Sequence, residues 1–163
     1  MDLQTLIDME LPVIQAPMAG VQDATLALAV SAAGGLGSLP CALLGPDRLE
    51  EALQRLAAAS RPVNLNFFCH AMGDPDPASE QHWREALTPY YREFGIEPPA
   101  PTSGGTRRPI DGQTVELLER YRPRVLSFHF GLPAPPLLSR LTASPSIASY
   151  DQRPGPTMFE SSW

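Results

Sequence analysis

The side chains in this sequence able to bind or transform a ligand are few: three histidines, two cysteines and a handful of amides and hydroxyls. His129 is the most informative, because Phe128 and Phe130 bracket it and Gly131 follows. A histidine so placed can donate a hydrogen bond to an anion, or pass a proton near neutrality. The competing reading is a histidine satisfied within a packed core. Asn66 follows an apolar run and offers both donor and acceptor to a flat heterocycle or a phosphate. An asparagine that bonds its own loop backbone is the commoner outcome. Ala16-Pro17-Met18-Ala19-Gly20 sets a thioether and a glycine after a short apolar run. Such a loop can lay backbone and Met18 against an aromatic ring, with Gly20 permitting close approach. The plainer alternative is an ordinary turn with a core methionine.

Several other chemistries are disfavoured. His70 and His82 read as surface residues of a loop and a helix, and without an HExxH pattern a metal site is not expected. Gly34-Gly35-Leu36-Gly37 precedes an apolar run instead of following one, so it lacks the context of a dinucleotide fingerprint. Ser38 and Ser127 stand outside any GxSxG elbow. Cys41 and Cys69 have no CxxC spacing, which argues against zinc and against a disulfide framework and suits a reducing cytoplasm.

The elements that must position these residues alternate along the chain. Short apolar runs at 12–17, 36–40, 63–68 and 125–130 read as strands, and residues 26–33, 46–57, 79–94, 111–120 and 135–141 read as helices. Asp23 and Pro46-Asp47 supply helix starts, and Gly34-Gly35 a stop. Strands apolar along their length, separated by helices, indicate a parallel sheet. Periodicity alone leaves an open doubly wound sheet and part of a closed barrel both available. In either case ligands bind at the carboxyl ends of the strands, where 16–20, 38–40, 66–70 and 129–133 fall.

With 163 residues and 43% hydrophobic side chains, the chain suits one domain with a real core. The net charge of −6 argues against nucleic acid and anionic membranes as partners. No apolar run approaches the roughly 20 residues that span a bilayer, and no signal peptide is visible. A cytoplasmic location is therefore expected. The 19 prolines crowd into 74–109 and 133–156, marking a long loop near 95–110 and a breaker-rich end.

Four stretches taken together resemble the nitronate monooxygenase family: Pro-Val-Ile-Gln-Ala-Pro-Met-Ala-Gly (12–20), Ala-Ala-Gly-Gly-Leu-Gly-Ser-Leu (32–39), Asn-Leu-Asn-Phe-Phe (64–68) and Leu-Ser-Phe-His-Phe-Gly-Leu-Pro (126–133). The resemblance implies an α/β fold, the N-terminal half of a TIM-type (β/α)8 barrel of about four βα units. It also implies FMN at the strand ends, and a small-molecule nitronate oxidised with O2 to a carbonyl compound and nitrite. On this basis Ala16, Pro17, Met18, Gly20 and Asn66 are expected to contact the cofactor, and His129 to be the catalytic-pocket histidine. Related flavin-dependent enoyl-acyl-carrier-protein or NADH:quinone reductases are the alternative.

The sequence departs from the family in one respect. It contains no Gln-Gly-x-Glu-Ala-Gly-Gly-His motif, which carries the family's expected catalytic histidine, and none of the later Gly-rich loops that grip the FMN phosphate. The expectation is a partial barrel domain over 1–142 and an irregular, disordered tail over 143–163, as a frameshift near codon 143 would leave. Such a half barrel exposes strand edges, which a homodimer would cover, or it survives as a non-catalytic remnant.

Overall fold

A computed structural model of the chain describes residues 3–71, 73, 76–98, 107–143 and 147–150, the last four by their backbone. They fall into two compact units, one built on Met1–His70 with Arg107–Trp163 and the other on Ala71–Thr106. In chain order the elements are α1 (Leu3–Ile7), α2 (Ala24–Ala32), β1 (Gly37–Pro40), α3 (Pro46–Ala59), β2 (Val63–Phe68), α4 (Pro77–Glu93), α5 (Gly112–Tyr121), β3 (Val125–His129), α6 (Pro135–Thr142) and β4 (Ile147–Tyr150). Among the described residues, no helix is long and apolar enough to cross a membrane.

The larger unit is a parallel sheet in the order β1-β2-β3-β4. Local chemistry sets the helices that link its strands. The Asp23 carboxylate accepts from the N–H groups of Thr25 and Leu26 and so starts α2. Asp111 does the same for α5 through the N–H of Thr114. Pro46 occupies the first turn of α3, and Ser60 ends it in a left-handed conformation. From α3, Leu49, Ala52, Leu53 and Leu56 turn inward, and from α5, Val115, Leu117 and Leu118. They meet Leu39, Val63, Leu65, Phe67, Leu126 and Phe128 in one apolar layer.

That layer uses alternate residues of each strand, so Ser38, Asn64, Asn66, Ser127 and His129 must point to the opposite face. Among the described residues of this unit, α2, α3, α5 and α6 cover one side of the sheet and a polar face forms the other. A doubly wound sheet has helices on both sides, so this arrangement belongs to a barrel wall. The expectation of strands apolar on both faces is corrected here: the inner face is polar. At its lower end Ile7 and Met9, beside the unforeseen α1, pack on Leu36 and Val125 and plug the interior.

The structure differs from the sequence reading at two further places. The expected strand over 12–17 is reduced to a bridge between Ile14 and Leu36, with Gln15 N–H donating to Leu36 and Leu36 N–H to Val13. Pro12 and Pro17 cannot donate to a ladder, which limits pairing to this short stretch. Within the stretch expected to be irregular, Ile147–Tyr150 pairs in parallel with β3 as β4. Residues 151–163 and 144–146 lie outside the described residues.

In the smaller unit, α4 is capped by Asp76, which accepts from the N–H groups of Ala78 and Ser79, and it carries Pro89 within its length. Leu87, Tyr90, Tyr91, Phe94 and Ile96 cluster around a small apolar hollow at its end. Most of the proline-rich 97–109 loop lies outside the described residues.

Candidate active site at the carboxyl ends of the strands

The β2–β3 register sets Asn66 opposite Ser127 and Phe68 opposite His129. Side chains two apart on one strand share a face, so Asn66, Phe68, Ser127 and His129 form one patch. Asn66 is 2% exposed, and its Nδ2 lies 2.9 Å from Ser127 Oγ and 2.9 Å from His129 Nδ1. An amide nitrogen carries two protons, and here Ser127 Oγ and His129 Nδ1 both lie within hydrogen-bond distance of it. Asn66 thus has only its carbonyl oxygen left to offer a ligand. Of the residues singled out in the sequence, Asn66 and His129 are joined directly.

Aromatic rings wall this patch. Phe68 lies edge-on to Phe130 at 4.9 Å between centroids, and His70 and His129 lie about 6 Å from the same two rings. His70, expected on the surface, is half-buried and belongs to the wall, whereas His82 is exposed as expected. Phe130 has φ of 64° and Gly131 φ of 118°. A bulky residue in the left-handed region is strained, and such strain concentrates at functional sites. Here it turns the chain sharply after β3 and leaves Phe130 66% exposed above Phe68.

Lower on the inner face lies a second polar group. Gln15 Oε1 accepts from Ser38 N–H at 3.1 Å, and Asn64 Nδ2 donates to Ser38 Oγ at 3.1 Å. Among the described residues, Gln15 Nε2 and Asn64 Oδ1 are buried without a hydrogen-bond partner, one a donor and the other an acceptor. Orphaned atoms of this kind mark a place where water or a polar ligand completes the bonding.

The 16–20 loop starts at the end of the bridged segment beside β1, so the parallel topology carries it to the same end of the sheet as Asn66 and His129. It holds its shape through Gln22, which accepts from Met18 N–H at 3.0 Å and donates to the Ala16 carbonyl at 2.8 Å. Gly20 adopts φ of 89°, a conformation that favours glycine, and the Met18 side chain is 54% exposed. Ala16 is exposed and Pro17 half-buried. Sequence reasoning missed Gln22, Ser127, Ser38, Gln15 and Phe68. The alternation Asn64-x-Asn66 and Ser127-x-His129 was the available signal, since polar residues every second position line one face of a strand.

The cysteines stand apart from this chemistry. Cys41 is buried, and loss of hydration pushes its thiol far above the ordinary value. Partial burial pushes Cys69 up to about 11. Both thiols are unpaired and neither is activated. Among the described residues, no cluster of three or more metal-binding side chains occurs.

Taken together, a run of parallel βα units, helices on one side and a polar, aromatic-walled patch at the strand ends define the wall of a TIM-type barrel. The chain matches the model of the nitronate monooxygenase family over residues 2–150, and it belongs to that family. It is 38% identical over 141 residues to the nitronate monooxygenase of Paraburkholderia phytofirmans, covering 85% of this chain and 38% of the relative. The nitronate monooxygenase of Pseudomonas aeruginosa is 38% identical over 130 residues, covering 78% of this chain and 37% of that protein. The chain therefore spans well under half the length of these relatives. Among solved structures, a nitroalkane oxidase from Streptomyces ansochromogenes superposes with a TM-score of 0.73 at 29% identity, over 91% of this chain and 41% of that one. FabK from Thermotoga maritima, at TM-score 0.59 and 20% identity over 90% of this chain and 35% of its own, shares the fold.

Proposed function

We propose that this chain supplies the first part of an FMN-dependent nitronate monooxygenase site, in which His129 binds the anionic substrate and the 16–20 loop bears on the cofactor. The observation that carries the reading is the hydrogen-bonded set Asn66–Ser127–His129 beneath Phe68 and Phe130 at the strand ends. The residues present fit one side of a flat, polar-edged ring. Met18 offers an exposed thioether, Gly20 leaves room for close approach, and the buried Gln15 Nε2 and Asn64 Oδ1 have no hydrogen-bond partner among the described residues. Ala16 and Pro17 complete the loop, and the Asn66 carbonyl oxygen can accept from the ring edge. The grip on the phosphate is assigned by the family resemblance to later βα units.

When bound, FMN would take an electron from the nitronate and pass it to O2. The chain's own residues hold the reactants for that exchange. His129 donates to the nitronate's oxygen-borne charge, and Phe68 and Phe130 limit water around it, which strengthens the bond. Gln22 keeps the loop in one shape before any ligand arrives, lowering the ordering cost of binding. The unpaired thiols suit the cytoplasm. Val13 and Ile14, both about half exposed on the bridged segment, are where a second copy would pair to form a homodimer.

The test is the visible absorbance of the purified chain before and after incubation with FMN and desalting, followed by turnover of propionate 3-nitronate. Retained flavin bands with nitronate-dependent O2 uptake support the reading. A colourless protein means a non-catalytic remnant, and NADH consumption without nitronate transfers the chain to the reductase alternative.

A further inference from the structure

We propose that Asn66 is a positioning residue that sets the tautomer of His129, holding the neutral ring with its proton on Nε2. The Asn66 amide nitrogen faces three atoms: Ser127 Oγ at 2.9 Å, His129 Nδ1 at 2.9 Å and the Ser127 carbonyl oxygen at 3.4 Å. A hydroxyl can donate or accept, and so can a neutral imidazole nitrogen, but a carbonyl oxygen only accepts. That third neighbour decides which end of the amide points at the group. With Oδ1 turned this way, two lone-pair oxygens would face each other at a side chain that is only 2% exposed, where their repulsion is little screened. With the NH2 turned this way, all three contacts are favourable or neutral.

The consequence for the ring follows directly. An amide N–H aimed at Nδ1 requires a lone pair there, so the proton of the neutral imidazole resides on Nε2. Protonating Nδ1 would set one N–H against another. Ser127 anchors the amide by accepting its second proton, so the ring's state is set two steps away through a chain of hydrogen bonds. The arrangement comes from strand register: Asn66 lies opposite Ser127, and His129 is two residues further along the same face. The catalytic consequence, that the ring meets an anion with a donor at Nε2, rests on the nitronate reading above. The tautomer itself does not.

Nitrogen NMR of the uniformly labelled 163-residue chain, at alkaline pH without flavin or substrate, reads the tautomer from the separate shifts of protonated and unprotonated ring nitrogens. His129→Ala assigns the signals. We expect His129 with its proton on Nε2, and Asn66→Asp to reverse it, because a carboxylate beside Nδ1 demands an N–H there. Wild-type protein with the proton on Nδ1, or an even mixture, overturns the proposal, as does a folded Asn66→Asp protein with an unchanged ring. Should Asn66→Asp fail to fold, Asn66→Ala decides: without the amide that faces Nδ1 the Nδ1–H form must appear beside the Nε2–H form, and a folded variant with an unaltered His129 spectrum overturns the proposal. A chain without flavin or turnover that still shows the Nε2–H ring would sink the function and leave this inference standing.

Discussion

Among the described glycines, Gly37 has the tightest surroundings, and substituting it measures the contact between α2 and β1 that supports the candidate site. A Cβ built on Gly37 would lie 1.8 Å from the Ala27 carbonyl oxygen, 2.6 Å from its carbon and 2.9 Å from its Cα. Real Cβ atoms essentially never approach closer than 3.0 Å, so α2 must retreat by at least 3.0 − 1.8 = 1.2 Å in Gly37→Ala. That retreat acts against buried Ala24, Ala27 and Ser31. Ser31 Oγ accepts from Gly37 N–H at 3.1 Å and donates to the Pro62 carbonyl at 2.7 Å, tying helix, β1 and the start of β2 together. Overpacking costs about 1–3 kcal/mol, and stretching a buried hydrogen bond roughly 1–3 kcal/mol more. The total, about 2–6 kcal/mol, is a large part of the stability of a domain this size. With a typical urea dependence near 2 kcal/mol per molar, the unfolding midpoint should drop by about 1–3 M. Gly112→Ala is the control, because its Cβ would meet nothing within 4 Å, and it should gain about 0.4–1 kcal/mol. Circular dichroism during urea titration compares the three proteins. If Gly37→Ala keeps the wild-type midpoint, the close approach of α2 to β1 is not present in solution, and the division into an apolar outer and a polar inner face loses its support.

Three other outcomes follow from the same structure. His129→Ala should lower kcat/KM for a nitronate by about 1.5–3 kcal/mol of binding, roughly 10- to 150-fold, by removing a charge-assisted donor; unchanged steady-state kinetics would return His129 to a structural role. Gln22→Ala removes the acceptor for Met18 N–H and the donor to the Ala16 carbonyl, so the Met18 amide should exchange faster with deuterium and FMN should bind about 5- to 30-fold more weakly, on the order of 1–2 kcal/mol. Acid should destabilise the chain through three carboxylates held below their ordinary values: Asp23 by the Leu26 N–H, Asp76 by the Ser79 hydroxyl, and Glu119 by the Arg140 guanidinium. Because their folded values are depressed, their contribution is complete above the ordinary 3.8 of Asp and 4.5 of Glu and disappears as pH falls through the folded values. Thermal melts should be level down to that range and fall below it, and Asp23→Asn, which keeps an N-cap acceptor, should soften the fall.

The alternation of strands and helices was legible because its signals are local. Asp23, Pro46 and Asp111 begin helices that the structure starts at Ala24, Pro46 and Gly112, and Leu49, Leu53 and Leu56 face inward as their spacing requires. The membership of Asn66 and His129 in one patch was legible only in part. Each lies at a strand end in the sequence, but their 2.9 Å contact depends on the register of β2 against β3, which no local pattern specifies. Gln22 escaped notice for a similar reason, since a glutamine between a turn and a helix cap is indistinguishable from a solvated one until the loop folds back over it. The run over 12–17 carries the apolar character of a strand, but Pro12 and Pro17 at its ends remove ladder donors and leave only the Ile14–Leu36 bridge.

The inner face explains why an apolar strand and a functional one look alike in sequence. Val63-Asn64-Leu65-Asn66-Phe67-Phe68 is two-thirds apolar and passes for a buried strand, yet every polar residue in it falls on the side away from the helices. Burying Ser38, Asn64 and Asn66 without partners would cost more than an apolar lining. The chain meets that cost by pairing them across strands, Ser38 with Asn64 and Asn66 with Ser127 and His129. An interior built only for stability has no need of this arrangement, since packed Val and Leu would serve as well. Among the described residues, Gln15 Nε2 and Asn64 Oδ1 are buried with no hydrogen-bond partner, so the pairing of this layer is incomplete at those two atoms. The same Ser38–Asn64 and Asn66–Ser127 bonds that make the face affordable also lock its side chains in place, so the site is organised before any ligand enters it.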